Sequence, residues 1–248
     1  MQIQSRVVDN RLLWANNQAI TVNAPGLART IRPGQFALAR DPSTLDPYLR
    51  RVLLPLSIQA DQIQFALDKS DPLATRAQPQ TMLDLLAPIG RAISIDSNAR
   101  HVLLAIDGAN LAPIVFLAQH AIQLGKEVVL VARANGITVQ FPPNLLPEEI
   151  EYHTRRENEP WLNPEWITWA DVIFACGTSA AYREMFDTIT QAKFRAPRGL
   201  AQVWINAAMP CGIGDCFGCA VDTARGFVLA CEDGPFFDLT EIIGKRSR

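Results

Sequence analysis

CGIGDCFGCAVDTARGFVLACEDGPFFD, residues 211–238, is the stretch that decides how this chain is read. It carries Cys211, Cys216, Cys219 and Cys231 in the order C-x4-C-x2-C-x11-C. Four thiolates gathered this way make a soft, anionic pocket suited to iron or zinc. The C-x4-C-x2-C…C order is the plant-type [2Fe–2S] spacing. Structural zinc sites more often use two separated C-x2-C knuckles, and only one occurs here. Gly212, Gly214 and Gly218 lie between the first three cysteines. Glycine reaches left-handed backbone conformations at little steric cost, and mixed-hand backbone forms concave nests of N–H groups that hold anions. A four-cysteine zinc staple stays open as the alternative. Two disulfides suit small secreted domains. This chain is longer, at 248 residues, and its opening MQIQSRVVDN does not read as a secretory signal.

Upstream of the cysteines, residues 99–206 alternate buried strands with helices. HVLLAID is a continuous apolar strand, Gly108 and Asn110 make a turn, and PIVFLAQHAIQLG has helical spacing with Pro113 in its first turn. Gly125 is placed to end that helix, and KEVVLVAR follows as a second strand. DVIFACG, the helical SAAYREMFDTITQAKF and the strand LAQVWINAAM continue the pattern. Apolar runs of this kind belong to parallel strands covered on both faces. The reading is a doubly wound α/β domain.

Residues 1–98 are β-rich instead. VVDNRLLW, QAITVNAP, the segment after Pro33-Gly34, VLLPLSI and QIQFALD are short strands at close spacing, which suggests a small antiparallel barrel. TMLDLLAPIG reads as a short helix or a strand leading out of it. Residues 207–248 are too few to bury a core alone, so metal is expected to order them. GKRSR reads as a solvated tail.

The bulk composition narrows the functions. A net charge of −2 argues against a nucleic-acid binder that relies on a positive field. No apolar run reaches the ~18 residues of a membrane-spanning helix, so no membrane insertion is expected. A cytoplasmic setting, where thiols stay reduced, suits the cysteines.

Barrel, α/β domain and cysteine loop, in that order, resemble the electron-transfer subunit of class 1B dihydroorotate dehydrogenases, in the ferredoxin–NADP reductase superfamily. The resemblance is strongest over residues 211–238, where Cys231-Glu232-Asp233-Gly234-Pro235-Phe236-Phe237 matches the family's run after its fourth ligand. PGQF, APIG and Cys176-Gly177 match further landmarks. The resemblance implies an FAD-type barrel over 1–98, an NAD-type α/β domain over 99–206 and a [2Fe–2S] domain over 207–248, with Cys211, Cys216, Cys219 and Cys231 as ligands. It implies FAD beside Leu54, Pro55, Leu56, Ser57, Thr75 and Gly90, and NAD(H) at Gly108. It also implies a catalytic flavoprotein partner, dihydroorotate dehydrogenase-like, in a hetero-oligomer serving pyrimidine biosynthesis, with this chain not catalytic alone.

The chain departs from that family's cofactor motifs while keeping its cysteines. Leu54 stands where the family has the arginine of Arg-x-x-Ser, with Ser57 retained. LDKSDPLATRAQPQ lacks the family's Gly-Thr, leaving Thr75 and Arg76 as stand-ins. The Gly-rich dinucleotide turn reads Ile106-Asp107-Gly108-Ala109-Asn110-Leu111-Ala112-Pro113, which sets a carboxylate where a pyrophosphate would lie. Cys176-Gly177-Thr178-Ser179 replaces the family's Cys-Gly-Pro. The NADH site therefore reads as degraded. The alternatives are a divergent paralogue serving another redox complex, or a non-redox scaffold stapled by zinc.

Other residues carry blander readings. Cys176 ends a buried strand and reads as packing. Trp161, Trp166 and Trp169 read as a loop-and-helix cover on the α/β domain. Glu148, Glu149 and Glu151 read as a solvated helix face. His101, His120 and His153 show no ligand spacing. Phe236 and Phe237 read as shielding the cysteines or packing the tail on the α/β domain.

Overall fold

The computed structural model describes residues 1–14, 17–108, 110–133 and 145–244. Ala109 and the tail from Lys245 on, read above as solvated, lie outside the described residues. The chain divides into two compact units. One comprises Met1–Ile93, Ala207–Ala220 and Leu229–Pro235. The other comprises Ser94–Asn206, Val221–Val228 and the segment from Phe236 on.

In the first unit six strands close into a barrel: β1 (Gln2–Trp14), β2 (Asn17–Asn23), β3 (Phe36–Arg40), β4 (Arg51–Gln59), β5 (Gln62–Asp68) and β6 (Met82–Ile89). Their order is β1-β2-β5-β4-β3-β6, and all the pairings are antiparallel. Closure leaves no strand edge open for another chain. Side chains alternate across each strand, so Ile20, Val22, Ile63, Phe65 and Leu67 fill the interior. Each such side chain contributes about 1.5–3 kcal/mol by leaving water. TMLDLLAPIG resolves as β6, an integral barrel strand paired with β1 on one side and β3 on the other.

Two short helices break the barrel's strands and were not foreseen, α1 (Pro25–Thr30) and α2 (Pro72–Arg76). Both start at proline, whose missing N–H costs nothing in a first turn. Asp71 caps α2 by accepting a hydrogen bond from Leu73 N–H.

The second unit is a six-stranded sheet. Its strands are β7 (His101–Asp107), β8 (Glu127–Arg133), β9 (Glu151–Arg155), β10 (Val172–Cys176) and β11 (Ala201–Trp204). After a hairpin of β12 (Ala220–Thr223) and β13 (Gly226–Leu229), β14 (Phe236–Asp238) completes the sheet. The order is β14-β11-β10-β7-β8-β9, parallel except for β14. The helices are α3 (Ala112–Gln123), α4 (Pro164–Trp169), α5 (Ser179–Lys193) and α6 (Leu239–Ile243). α3 ends as Gly125 predicts. At φ 69° its N–H bonds to Ile122 O, and Lys126 N–H bonds to Ala121 O.

The acidic stretch around Glu148–Glu151 corrects one reading. Glu148 and Glu149 lie in a turn and Glu151 opens the edge strand β9, so no helix face forms there. An edge strand has one open flank and tolerates polar residues on both faces, which hides it among helical patterns. Trp161 is fully buried, and Trp166 and Trp169 pack against the core of the same unit, as a cover on the sheet. Phe236 meets Phe174 and Trp204 edge-on, so the tail does pack on the α/β unit.

Candidate metal centre

All four C-terminal cysteines belong to the first unit, with the barrel. The loop that bears the first three is laid on the outside of β3 and β6. Gly212, at φ 69°, is buried against Leu38 and Leu86, so closely that a Cβ there would strike the Leu38 side chain. Gly214, at φ 75°, passes equally close to the Glu232 carboxylate. These two left-handed glycines turn the backbone so that its N–H groups face sulfur. Cys211 receives hydrogen bonds from Ile213, Asp215 and Cys216 N–H, and Cys231 receives one from Gly214 N–H. Gly218 N–H lies 3.4 Å from Cys216 Sγ.

The fourth cysteine is fixed by the barrel's exit. Gly90 N–H donates to Cys231 O at 3.0 Å, and Arg91 N–H donates to Gly234 O at 2.6 Å. Gly90 sits at φ 83°, and a Cβ there would meet Gly234 O at 2.9 Å. Gly90, expected beside a flavin, also holds the segment of the fourth cysteine. Ala230 N–H bonds to Cys219 O at 3.1 Å, which brings the third and fourth thiols side by side.

The thiols form two pairs. Cys219 and Cys231 Sγ are 3.3 Å apart, and Cys216 hydrogen-bonds Cys211. The pairs sense one another, because Cys211 contributes to the electrostatic environment of Cys231. Their environments differ. Backbone donation, chiefly from Ile213, lowers the Cys211 thiol to about 7. Burial first, and then the neighbouring Cys219, pushes Cys231 up to about 12. Cys216 is exposed, whereas Cys219 and Cys231 are buried. Among the described residues no three His, Cys, Asp or Glu side chains already surround a single ion position. A mononuclear zinc centre needs all four thiolates about 3.8 Å apart on one tetrahedron, as bonds of ~2.3 Å require. Thiols with backbone N–H donors beside them suit an iron–sulfur cluster, whose sulfurs accept such hydrogen bonds. The donor set therefore fits an iron–sulfur cluster.

The flavin positions are less well supplied. Leu54, Pro55, Leu56 and Ser57 lie on β4 across a bulge, with Leu56 wholly buried and Ser57 partly exposed. The two arginines preceding them are engaged. Arg50 bonds the buried Asp84 at 2.8 Å, and Arg51 bonds the α2 cap Asp71. Thr75 is exposed on α2 and bonds back to Pro72 O. This stretch offers FAD a hydroxyl and backbone groups, and Arg76, beside Thr75, is a cation paired with the exposed Asp46 at 3.3 Å, its Nη1 without a hydrogen-bond partner.

Gly108 lies in the other unit, at the end of β7 with φ 112°. Around it the sheet ends carry residues that sequence reading missed. Arg133, at the end of β8, bonds Asp107 Oδ1 at 2.8 Å and both Glu184 oxygens at 2.8–3.0 Å. It also lies 5.6 Å from the Trp161 ring centre. A charged residue ending a buried strand is the signal that could have found it, since strand carboxyl ends in such sheets face the ligand crevice. Cys176 is buried, its thiol pushed up to about 12 by burial and by Asp107, which agrees with a packing role. The histidines stand on β7, α3 and β9 of this unit.

The likenesses to known proteins agree with this architecture. Residues 206–243 match the model of the iron–sulfur cluster binding domain of dihydroorotate dehydrogenase B. The chain is 25% identical to a dihydroorotate dehydrogenase B (NAD(+)) electron transfer subunit homolog of Aquifex aeolicus, over 98% of each chain. It is 23% identical to the electron transfer subunit of Desulforamulus reducens, covering 96% of this chain and 99% of that one. Among solved structures, NADH-dependent reduced ferredoxin-NADP oxidoreductase aligns with a TM-score of 0.75 at 18% identity, over 96% of this chain and 89% of that one. A ferredoxin reductase of carbazole 1,9a-dioxygenase aligns at 0.59 and 17% identity, over 82% and 68%. Low identity here speaks for the fold alone, and it is the fold described above. With the barrel, the doubly wound sheet and the cysteine segment in that order, the chain has a ferredoxin reductase-like fold, is similar over nearly its whole length to dihydroorotate dehydrogenase B electron-transfer subunits, and carries a segment that matches their iron–sulfur cluster binding domain.

Proposed function

We propose that this chain is the iron–sulfur electron-transfer subunit of an oxidoreductase complex. Cys211, Cys216, Cys219 and Cys231 hold a [2Fe–2S] cluster, and residues 207–248 act as its binding domain. The observation that carries the reading is the pairing of the four thiols on a loop whose N–H groups face sulfur. When bound, such a cluster supplies one-electron carriage, with a potential set by charge, sulfur hydrogen bonds and exposure. This chain's own residues set those terms. Ile213, Asp215, Cys216 and Gly214 donate to sulfur. Gly90 and Arg91 fix the fourth ligand on the barrel. Exposed Cys216, Ile213 and Phe217 leave the outer side of the loop open to solvent.

The partner in this reading is a catalytic flavoprotein subunit, dihydroorotate dehydrogenase-like as the relatives' names imply, in a hetero-oligomer of pyrimidine biosynthesis in the cytoplasm. No helix among the described residues is long and apolar enough to cross a membrane. FAD is the cofactor that the barrel class implies, at Leu54–Ser57, Thr75 and Gly90.

Anaerobic isolation tests the reading. Iron and acid-labile sulfide in equal amounts, a brown colour and a dithionite-induced axial electron-paramagnetic signal are expected. A colourless protein holding zinc in place of iron would overturn it in favour of a structural staple. Flavin absorbance in the same preparation decides FAD.

A further inference from the structure

We propose that the α/β unit closes its own dinucleotide crevice with its side chains, and that the chain takes no NAD(P)H there. In an open parallel sheet a ligand binds outside the strand carboxyl ends where the strand order reverses. In the order β14-β11-β10-β7-β8-β9 that point lies between β7 and β10. A diphosphate held there needs free backbone N–H groups at the two strand–helix turns, and little negative charge beside them.

Four of the donors there are already committed. Gly108 N–H, after β7, donates to Arg133 O at 2.8 Å. Gly177 N–H, after β10, donates to Tyr182 Oη at 2.8 Å. Ala112 N–H, at the start of α3, donates to Asn110 Oδ1 at 3.3 Å. Ala181 N–H, in the first turn of α5, donates to the Thr178 hydroxyl at 3.1 Å. Each bond taken singly is an ordinary turn or cap. Together they commit four of the amides that line the described parts of the two turns.

The gap is also bridged and charged. Thr178 Oγ1 hydrogen-bonds Asp107 Oδ2 at 3.2 Å, and Cys176 Sγ lies 3.5 Å from Asn110 O, so β7 and β10 are tied directly across the switch point. A Cβ on Gly177 would meet Asp107 Cβ at 2.9 Å, so the two turns approach closely at that point. Asp107 and Glu184 carry two negative charges against the one positive charge of Arg133, which both of them hold. Trp161 completes the closure, its indole N–H donating to Ile106 O and its backbone N–H to Glu184. A nucleotide diphosphate would have to break these bonds and add its own charge to a net negative site.

The consequence rests on the electron-transfer reading above. With hydride donors excluded from this unit, redox proteins that exchange electrons singly are the class of partner left to it.

The test uses the full chain isolated anaerobically, titrated with NADH and with NADPH up to millimolar concentration. Tryptophan-to-dihydronicotinamide energy transfer reads binding and visible absorbance reads reduction. No saturable transfer and no bleaching by either nucleotide are expected, while dithionite bleaches the protein. Saturable transfer, or bleaching by NADH, overturns the proposal. Amide hydrogen exchange supplies a second measurement. Gly108, Ala112 and Gly177 should be protected in the nucleotide-free chain, and fast exchange at these amides overturns the proposal even if NADH fails to bind. If the protein lacks iron, or dithionite fails to bleach it, the electron-transfer reading falls, while energy transfer and exchange still judge the crevice.

Discussion

At residues 211–219 backbone N–H groups point at sulfur, whereas at the ends of β7 and β10 they donate to the chain's own oxygens, Gly108 to the Arg133 carbonyl and Gly177 to the Tyr182 hydroxyl. Both are glycine-bearing turns, and both stand where this fold class places a cofactor. The difference lies in who satisfies the donors. In the cysteine loop Gly212 and Gly214 hold a left-handed backbone that aims amides at ligand atoms. At the switch point a backbone carbonyl, an asparagine side chain, a threonine hydroxyl and a tyrosine hydroxyl take bonds that a ligand would need. A buried amide is costly to leave unpaired, so a turn that has lost its ligand becomes stable only by finding partners within the chain. One turn reads as built for a group from outside, and the other as built to do without one.

The largest effect should come from removing what the outward donors serve. Cys231→Ser keeps the fold of the barrel and should abolish iron retention, measured as iron and sulfide per chain after anaerobic desalting. The α/β unit should keep its protected amides, because its donors depend on no cluster. Retention of the full iron content would remove Cys231 from the ligand set.

The converse change breaks the inward network. Arg133→Met leaves Asp107 facing Glu184 with no cation between them, both within a side chain's reach of the closed crevice. Breaking a buried ion pair from one side costs about 3–5 kcal/mol, and the partial exposure of Glu184 points to the low end, about 3 kcal/mol. Urea denaturation followed by tryptophan fluorescence should show that loss. Visible absorbance of the cysteine centre should be unchanged under native conditions. A loss well under 1 kcal/mol would mean that the cluster is ornamental and the closure weak.

These two sites were not equally legible. The cysteine centre could be read from sequence because its three nearest ligands and their glycines are local, within nine residues of one another. The barrel and most of the sheet could be read because alternation and continuous apolar runs are local signals too. The helix α2 carried a local signal, Asp71-Pro72, but five residues give too little periodicity to register. β9 was hidden because an edge strand with polar side chains shows no apolar alternation. The closure of the crevice was only half legible. Asp107 announced a charge conflict with a diphosphate, but Arg133 and Glu184 lie 26 and 51 residues apart from their partners in the chain. Only the parallel pairing of β7 with β8 and the return of α5 bring them together, and no window of sequence contains that.

The smallest effects separate backbone strain from packing. Gly125 and Gly212 share the same backbone angle, φ 69°. Around Gly125 nothing lies within 4 Å of an added Cβ, whereas at Gly212 the Cβ would strike Leu38, which is fully buried. Gly125→Ala should therefore cost about 1 kcal/mol, the strain of a left-handed alanine alone. Gly212→Ala carries the same strain and must also push the cysteine loop off β3, so it should cost about 1–3 kcal/mol more, as overpacking does. Thermal unfolding of both variants gives the two costs. The variants should also differ in kind, because displacing the loop moves Ile213 and Asp215 N–H from Cys211 and should speed iron loss to a chelator, while Gly125→Ala leaves that rate unchanged. Equal chelation rates would show that the loop keeps its donors on sulfur without support from Leu38, and that the barrel carries the cysteine centre without shaping it.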